Sequence, residues 1–158
     1  MAEPVLTTTV LSAGVGAVFG FLSAVGKNYL DARRKVDEDL RTRRSSPYQE
    51  LWNKTQSFQL WPRKEASYTE VEEFQRQLTG WYYNSGGMLL SKSGQRAYER
   101  LQERLNSVIR FGRGMTGEKR NTTSIPDEDW TAIEVRCSRL RAALTDDLLS
   151  WRSGRQLV

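Results

Sequence analysis

Histidine is missing from this chain altogether, and cysteine occurs once, as Cys137. Without imidazole the chain has no side chain whose ordinary pKa lies near neutrality, so the commonest general base, proton shuttle and metal ligand is excluded. A lone cysteine cannot staple a domain, as suits a reducing compartment. Cys137 falls on the apolar face of the last predicted helix, the place of a packing residue and not of a nucleophile. Acidic clusters are few. Asp127-Glu-Asp129 and Asp146-Asp147 have no second set of oxygen ligands to complete a cation shell, and they read as helix caps and solvated charge. Gly86-Gly87 and Gly112-x-Gly114 lack the strand-before, helix-after setting of a phosphate loop and read as turns. The expectation is a protein that is not an enzyme and holds no cofactor or metal.

Charge is also missing from one stretch. Val5 to Val25 contains no Asp, Glu, Lys or Arg. As a helix its 21 residues span ~31 Å against a hydrocarbon core of ~30 Å, so the segment predicts a transmembrane helix. Met1-Ala2-Glu3-Pro4 supplies no basic n-region, which argues against a cleaved signal peptide. Only ten of the 21 residues are Val, Leu or Phe, so insertion is marginal by composition. From Lys27 to Arg44 the chain carries seven Lys or Arg and four Asp or Glu, whereas Glu3 alone precedes the span. Basic residues stay on the cytoplasmic side. This places the N-terminus outside and the remainder in the cytoplasm of a bacterial inner membrane, where the sequons at Asn53 and Asn121 would be accidental.

On a helical wheel Thr9, Ser12, Ala13, Gly16, Ala17, Gly20, Ser23 and Ala24 fall within roughly 140°, with Val, Leu and Phe opposite and only Gly14 misplaced. Ser12, Gly16, Gly20 and Ala24 repeat every four residues. In lipid, helices associate by close backbone packing along small residues, so this face is the candidate for pairing with itself or with another membrane protein.

The net charge of +5 is spread over both signs, which argues against a dedicated nucleic-acid surface. The predicted layout is an external tail (1–4), the transmembrane helix (5–25), a charged juxtamembrane helix (26–44), an aromatic-rich linker (45–67), a three-helix cytoplasmic domain (68–151) and a tail (152–158). Arg33, Arg34, Arg41, Arg43 and Arg44 on the juxtamembrane rod are the candidates for contact with anionic lipid headgroups. Ser45-Ser46-Pro47 is expected to end the rod, and Tyr48-Gln-Glu-Leu-Trp52 reads as a short helix after it. Trp52, Phe58 and Trp61 suit either an interfacial anchor or the core. Thr69 with Glu72 predicts a capping box opening a helix with Val71, Phe74, Leu78, Trp81 and Tyr82 on its apolar face. Asn84-Ser-Gly-Gly87 breaks it, and Met88-Leu-Leu90 reads as a short buried run. A second helix from about Gln95 shows Tyr98, Leu101, Leu105, Val108 and Ile109. The last shows Trp130, Ile133, Cys137, Leu140, Leu144 and Trp151, with acids in its first turn.

Leu51-Trp-Asn-Lys-Thr-Gln56, Leu60-Trp-Pro-Arg63, Trp81-Tyr-Tyr-Asn-Ser-Gly-Gly87, Leu89-Leu-Ser91 and Leu140-Arg-Ala-Ala-Leu-Thr-Asp-Asp-Leu148 together resemble stretches of uncharacterised bacterial single-pass membrane-anchored proteins with a small helical cytoplasmic domain. The resemblance implies this architecture and no activity. Two patches remain: Trp81, Tyr82 and Tyr83 beside a glycine turn, three consecutive rings that cannot all face one way on a helix, and the basic loop with Arg110 and Arg113. Both are candidate surfaces for an unknown cytoplasmic protein, the loop also for lipid or RNA. The sequence thus points to an all-α scaffold or subunit of a membrane assembly. A small homo-oligomeric pore lined by Thr7, Thr8, Thr9, Ser12 and Ser23 is the alternative, although no charged ring would select ions. A soluble nucleic-acid-binding helical protein comes third.

Overall fold

A computed structural model describes the backbone of residues 4–59 and 64–149, and within these ranges the side chains of Lys27 and of residues 29 onward. The chain is all-α. Among the described residues there is no strand, only an isolated antiparallel bridge between Ser67 and Ser124. The helices are α1 (Pro4–Lys54), α2 (Tyr68–Trp81), α3 (Lys92–Gly112), α4 (Gly117–Thr122) and α5 (Asp127–Leu149). They divide into two compact units, residues 1–40 and 41–158, with α1 contributing to both. No helix among the described residues is long and apolar enough to cross a membrane. The uncharged stretch 5–25 lies within α1, but its side chains are outside the described set, and so is the proposed packing face Ser12, Gly16, Gly20 and Ala24.

In the first unit, the part of α1 with described side chains is a charged helix. Leu30 and Val36 on it are 56% and 58% exposed. The Asp31–Arg34 pair at 3.7 Å is a solvated i,i+3 contact that adds little stability.

The second unit holds the core. α2 buries Tyr68, Val71, Phe74, Leu78 and Trp81; α3 buries Tyr98, Leu101, Leu105, Val108 and Ile109; α5 buries Trp130, Ile133, Cys137, Leu140 and Leu144. These are the predicted faces, repeating at the three-and-four spacing that puts side chains over one another. α3 packs against both α2 and α5. Trp151, expected on the same face of α5, lies outside the described residues.

Several expectations are corrected. Ser45-Ser46-Pro47 does not end the rod, because α1 continues through Pro47 to Lys54. Pro47 cannot donate to the carbonyl four residues back, at a cost of about 3 kcal/mol. Beyond it, however, Tyr48 and Leu51 are buried at 2% and 0% exposure, and a large apolar side chain contributes about 1.5–3 kcal/mol on full burial. Packing wins. Residues 45–67 are therefore not a linker. They contribute the end of α1, a 3₁₀ turn (Thr55–Phe58) and the buried Ala66, so the packed unit begins near Arg41 and uses α1 as well as the three predicted helices.

The capping box is at Ser67 and Glu70, two residues before the expected pair. The Ser67 hydroxyl accepts from the Glu70 N–H at 3.3 Å, and the Glu70 carboxylate accepts from the Ser67 N–H at 2.7 Å. The Ile125 N–H donates to the Ala66 carbonyl at 2.8 Å, and Ser67 beside it is extended, the backbone an N-cap requires. α3 starts at Lys92, capped by Ser91, and the loop after it contains α4. Met88-Leu-Leu90 is not a buried run: Met88 is fully exposed, and Leu89 and Leu90 are half-buried. Phe58 is a core residue at 1% exposure, whereas Trp52 stays 41% exposed.

Candidate protein-interaction site

α2 ends at Trp81, whose indole is buried and donates from Nε1 to the Pro47 carbonyl at 3.0 Å. The next five residues, Tyr82–Gly86, widen into a π turn closed by the Gly87 N–H on the Tyr82 carbonyl. π turns of this kind are rare and cluster at functional positions. The cause is local. A Cβ at residue 86 would lie 2.0 Å from Trp81 Cζ2, and one at residue 87 would lie 2.4 Å from the Tyr82 carbonyl oxygen. Only glycine lets the chain turn back this tightly over the indole. A 3₁₀ turn, Gly87–Leu89, then leads to the N-cap of α3.

The side chains of this arch are held from below. Tyr82 stacks on Tyr98 with ring centroids 5.0 Å apart at 20°, and Tyr83 meets Tyr82 edge-on at 5.4 Å and 84°. Tyr98 donates to the Leu78 carbonyl at 3.0 Å and accepts from Gln102 at 2.8 Å. Burial pushes its phenol up to about 12, so it stays a neutral donor at neutral pH. At the far end the Leu89 carbonyl lies 2.8 Å from Arg44 Nε and 2.9 Å from the Tyr48 hydroxyl. The result is a short, pinned arch that keeps Tyr83 81% and Met88 100% exposed.

The Tyr48 hydroxyl also lies 2.9 Å from Asp147 Oδ2 on α5. Burial, reinforced by the Asp147 carboxylate, raises its pKa well above the ordinary tyrosine value. Seven residues on, in the 3₁₀ turn that follows α1, comes a second clasp. Arg141 Nη1 of α5 lies 3.2 Å from both the carbonyl and the hydroxyl of Thr55, and its guanidinium sits 5.9 Å from the Trp52 ring centroid. The two clasps make the end of α1 antiparallel to α5, and alongside lies an apolar groove of about 320 Å³ lined in part by Tyr48, Trp52, Leu144, Leu148 and Leu149.

The predicted site residues separate. Trp81 is 2% exposed and belongs to the core, because its indole closes α2 onto Pro47 and Gly86; it is no partner surface. Tyr82 is half-buried and Tyr83 exposed. Arg110 and Arg113 are exposed near the end of α3. They do not join the aromatic patch, since Tyr82 rests on Tyr98, ~18 Å of helix before Arg110. Arg33 is exposed, 5.0 Å over the Tyr29 ring, and Arg34 and Arg43 are exposed as well. Arg41 is half-buried. Arg44 departs from the expected headgroup row: it is half-buried, with Nε spent on Leu89. Among the described residues no cluster of Cys, Asp or Glu is placed to hold a metal ion. Cys137 is buried, and its thiol is pushed up to about 12 by burial. Sequence reading missed the exposure of Met88, the pinning role of Tyr48 and the Arg141–Thr55 clasp; the helix read at Tyr48–Trp52, with Tyr48 and Leu51 three apart, was the available signal for Tyr48.

The chain matches no protein-family profile, no curated protein and no solved structure.

Proposed function

We propose that the chain is a membrane-anchored scaffold or assembly subunit of a bacterial inner membrane and not a catalyst. The stretch 5–25 serves as the span, with the N-terminus outside, and the helical unit binds a cytoplasmic protein through Tyr83 and Met88. The carrying observation is the exposure of these two large side chains on an arch that is otherwise pinned and sterically constrained. Tyrosine and methionine are enriched at protein interfaces, and a rigid mount lowers the entropy cost of using them. The span is supported by the absence of charge over 5–25 and by the helical backbone of α1 there. Self-association or pairing with another membrane protein would use the small-residue face.

A photoreactive amino acid placed at Tyr83 or Met88 in the full chain should give adducts of discrete mass in cells, while one at the exposed Ser107 on α3 gives none. Equal or absent adducts at all three positions would remove the arch as a partner surface. Topology is tested separately with Ala2→Cys in a Cys137→Ser background. An impermeant maleimide should label intact cells, and labelling confined to lysed cells would reverse the orientation.

A further inference from the structure

Three hydrogen bonds join one and a half turns of α1 to the two ends of the arch. Pro47 receives the Trp81 indole N–H at 3.0 Å, while Arg44 and Tyr48 reach the Leu89 carbonyl at 2.8 and 2.9 Å. Between these pins the arch carries Tyr83 and Met88 into solvent. We propose that this stretch of α1 sets the presentation of Tyr83 and Met88: a shift of residues 44–48 against α2 and α3 re-poses the arch, and occupation of the arch biases α1 in return. The inference rests on the reading of the arch as the partner surface.

The pin at Tyr48 joins α1 to two other elements at once. Its single hydroxyl proton faces two acceptors at the same 2.9 Å, the Leu89 carbonyl on the arch and the Asp147 carboxylate on α5. A shift of residues 44–48 that lengthens one of these contacts alters the other, and a coupling carried this way is reciprocal by linkage. The second clasp, Arg141 of α5 on Thr55 just past the end of α1, does not touch the arch, so it separates a specific pin from general loosening of this end of α1.

The test is hydrogen exchange on the full chain in bilayer nanodiscs, which needs no partner. In Arg44→Ala/Tyr48→Phe the amides of 82–89 should exchange up to about tenfold faster, the factor expected for lost net hydrogen bonding, over and above whatever uniform acceleration the centres of α3 and α5 show from lost global stability. Arg141→Gln should leave 82–89 at the wild-type rate. In the reverse direction, Gly86→Ala displaces Trp81 and should speed exchange in residues 44–51. The proposal is overturned by an unchanged arch in the double variant, by equal loosening in Arg141→Gln, or by an unresponsive α1 in Gly86→Ala. If the double variant exchanges globally, Tyr48→Phe alone carries the same test with an expected change of about threefold. Missing photoadducts at Tyr83 and Met88 would remove the partner surface and leave this coupling measurable. An unchanged arch would remove the coupling and leave the surface standing.

Discussion

Tyr48 and Asp147 meet at 2.9 Å, Oη to Oδ2, joining the end of α1 to the end of α5 across 99 residues of sequence. Replacing Tyr48 by Phe removes a donor from two acceptors in a part-buried setting, where an unmade hydrogen bond costs about 1–3 kcal/mol. Asp147→Asn keeps an acceptor for the tyrosine and should cost less, under about 1 kcal/mol. Urea unfolding of the two variants should rank them in that order. Equal loss would mean that the carboxylate charge, and not the tyrosine hydroxyl, carries the contact.

Alkaline stability follows from buried groups, Cys137 first and then Tyr98 together with Tyr48 and Tyr68, whose phenols burial also raises. Burial, aided by Glu134 and opposed by Arg141, raises the Cys137 thiol from 9.0 to about 12, and burial raises Tyr98 from 10.0 to about 12. In each case the folded chain keeps a proton that the unfolded chain has released. The native state then binds more protons, so stability falls as pH rises. Their contribution is whole below pH 9, declines first through Cys137, and declines further through the tyrosines above pH 10, with Cys137 and Tyr98 ionising in the folded chain near 12. Cys137→Ala removes the first leg, so its urea midpoint should hold level until about pH 10 whatever its constant offset. A decline from pH 9 in that variant would assign the early loss to another group.

Gly86 has no room for a side chain, whereas Gly117 at the start of α4 has nothing within 4 Å of an added Cβ. Gly86→Ala forces the Trp81 indole aside and should cost about 1–3 kcal/mol with a red shift of its emission, as overpacking does. Gly117→Ala should be neutral or stabilise by about 0.4–1 kcal/mol through the unfolded chain. If Gly86→Ala proved as mild as Gly117→Ala, the π turn would owe nothing to the indole contact.

The buried faces of α2, α3 and α5 were legible because Val71–Phe74–Leu78, Leu101–Leu105–Val108 and Ile133–Cys137–Leu140 repeat with the helix itself. The end of α1 was not, because a local rule about Pro47 was outweighed by the burial of Tyr48 and Leu51 against distant residues. Ser67-x-x-Glu70 and Thr69-x-x-Glu72 carry the same capping pattern, and the choice between them coincides with pairing near Ser124 and Ile125, far along the chain. Met88 was misplaced because periodicity assigns a face only where the backbone is regular, and here it passes from a π turn to a 3₁₀ turn. The arch as a site shares this limit: its pins span 34 to 45 residues of sequence, so only the fold brings them together.

The small-residue face read from the sequence of 5–25 gives the last prediction, which rests on the proposed span. Gly16 and Gly20 lie one turn apart at the centre of the arc that also holds Ser12 and Ala24. In lipid, where association depends on backbone approach, a branched side chain at either glycine would hold two helices apart. Gly16→Ile and Gly20→Ile should therefore weaken association in the membrane by about 1–2 kcal/mol, roughly a tenfold change or more. Leu11→Ile and Val18→Ile on the opposite face should leave it intact. Gly14→Ile should also be mild, since Gly14 is the one small residue outside the arc, and it controls for loss of glycine as such. A transmembrane association reporter or in-membrane crosslinking reads the quantity directly. An equal response to all five substitutions would show that the stripe reflects composition and not an interface. Absence of self-association in the wild type would remove the homotypic reading and leave pairing with a different membrane protein as the role for this face.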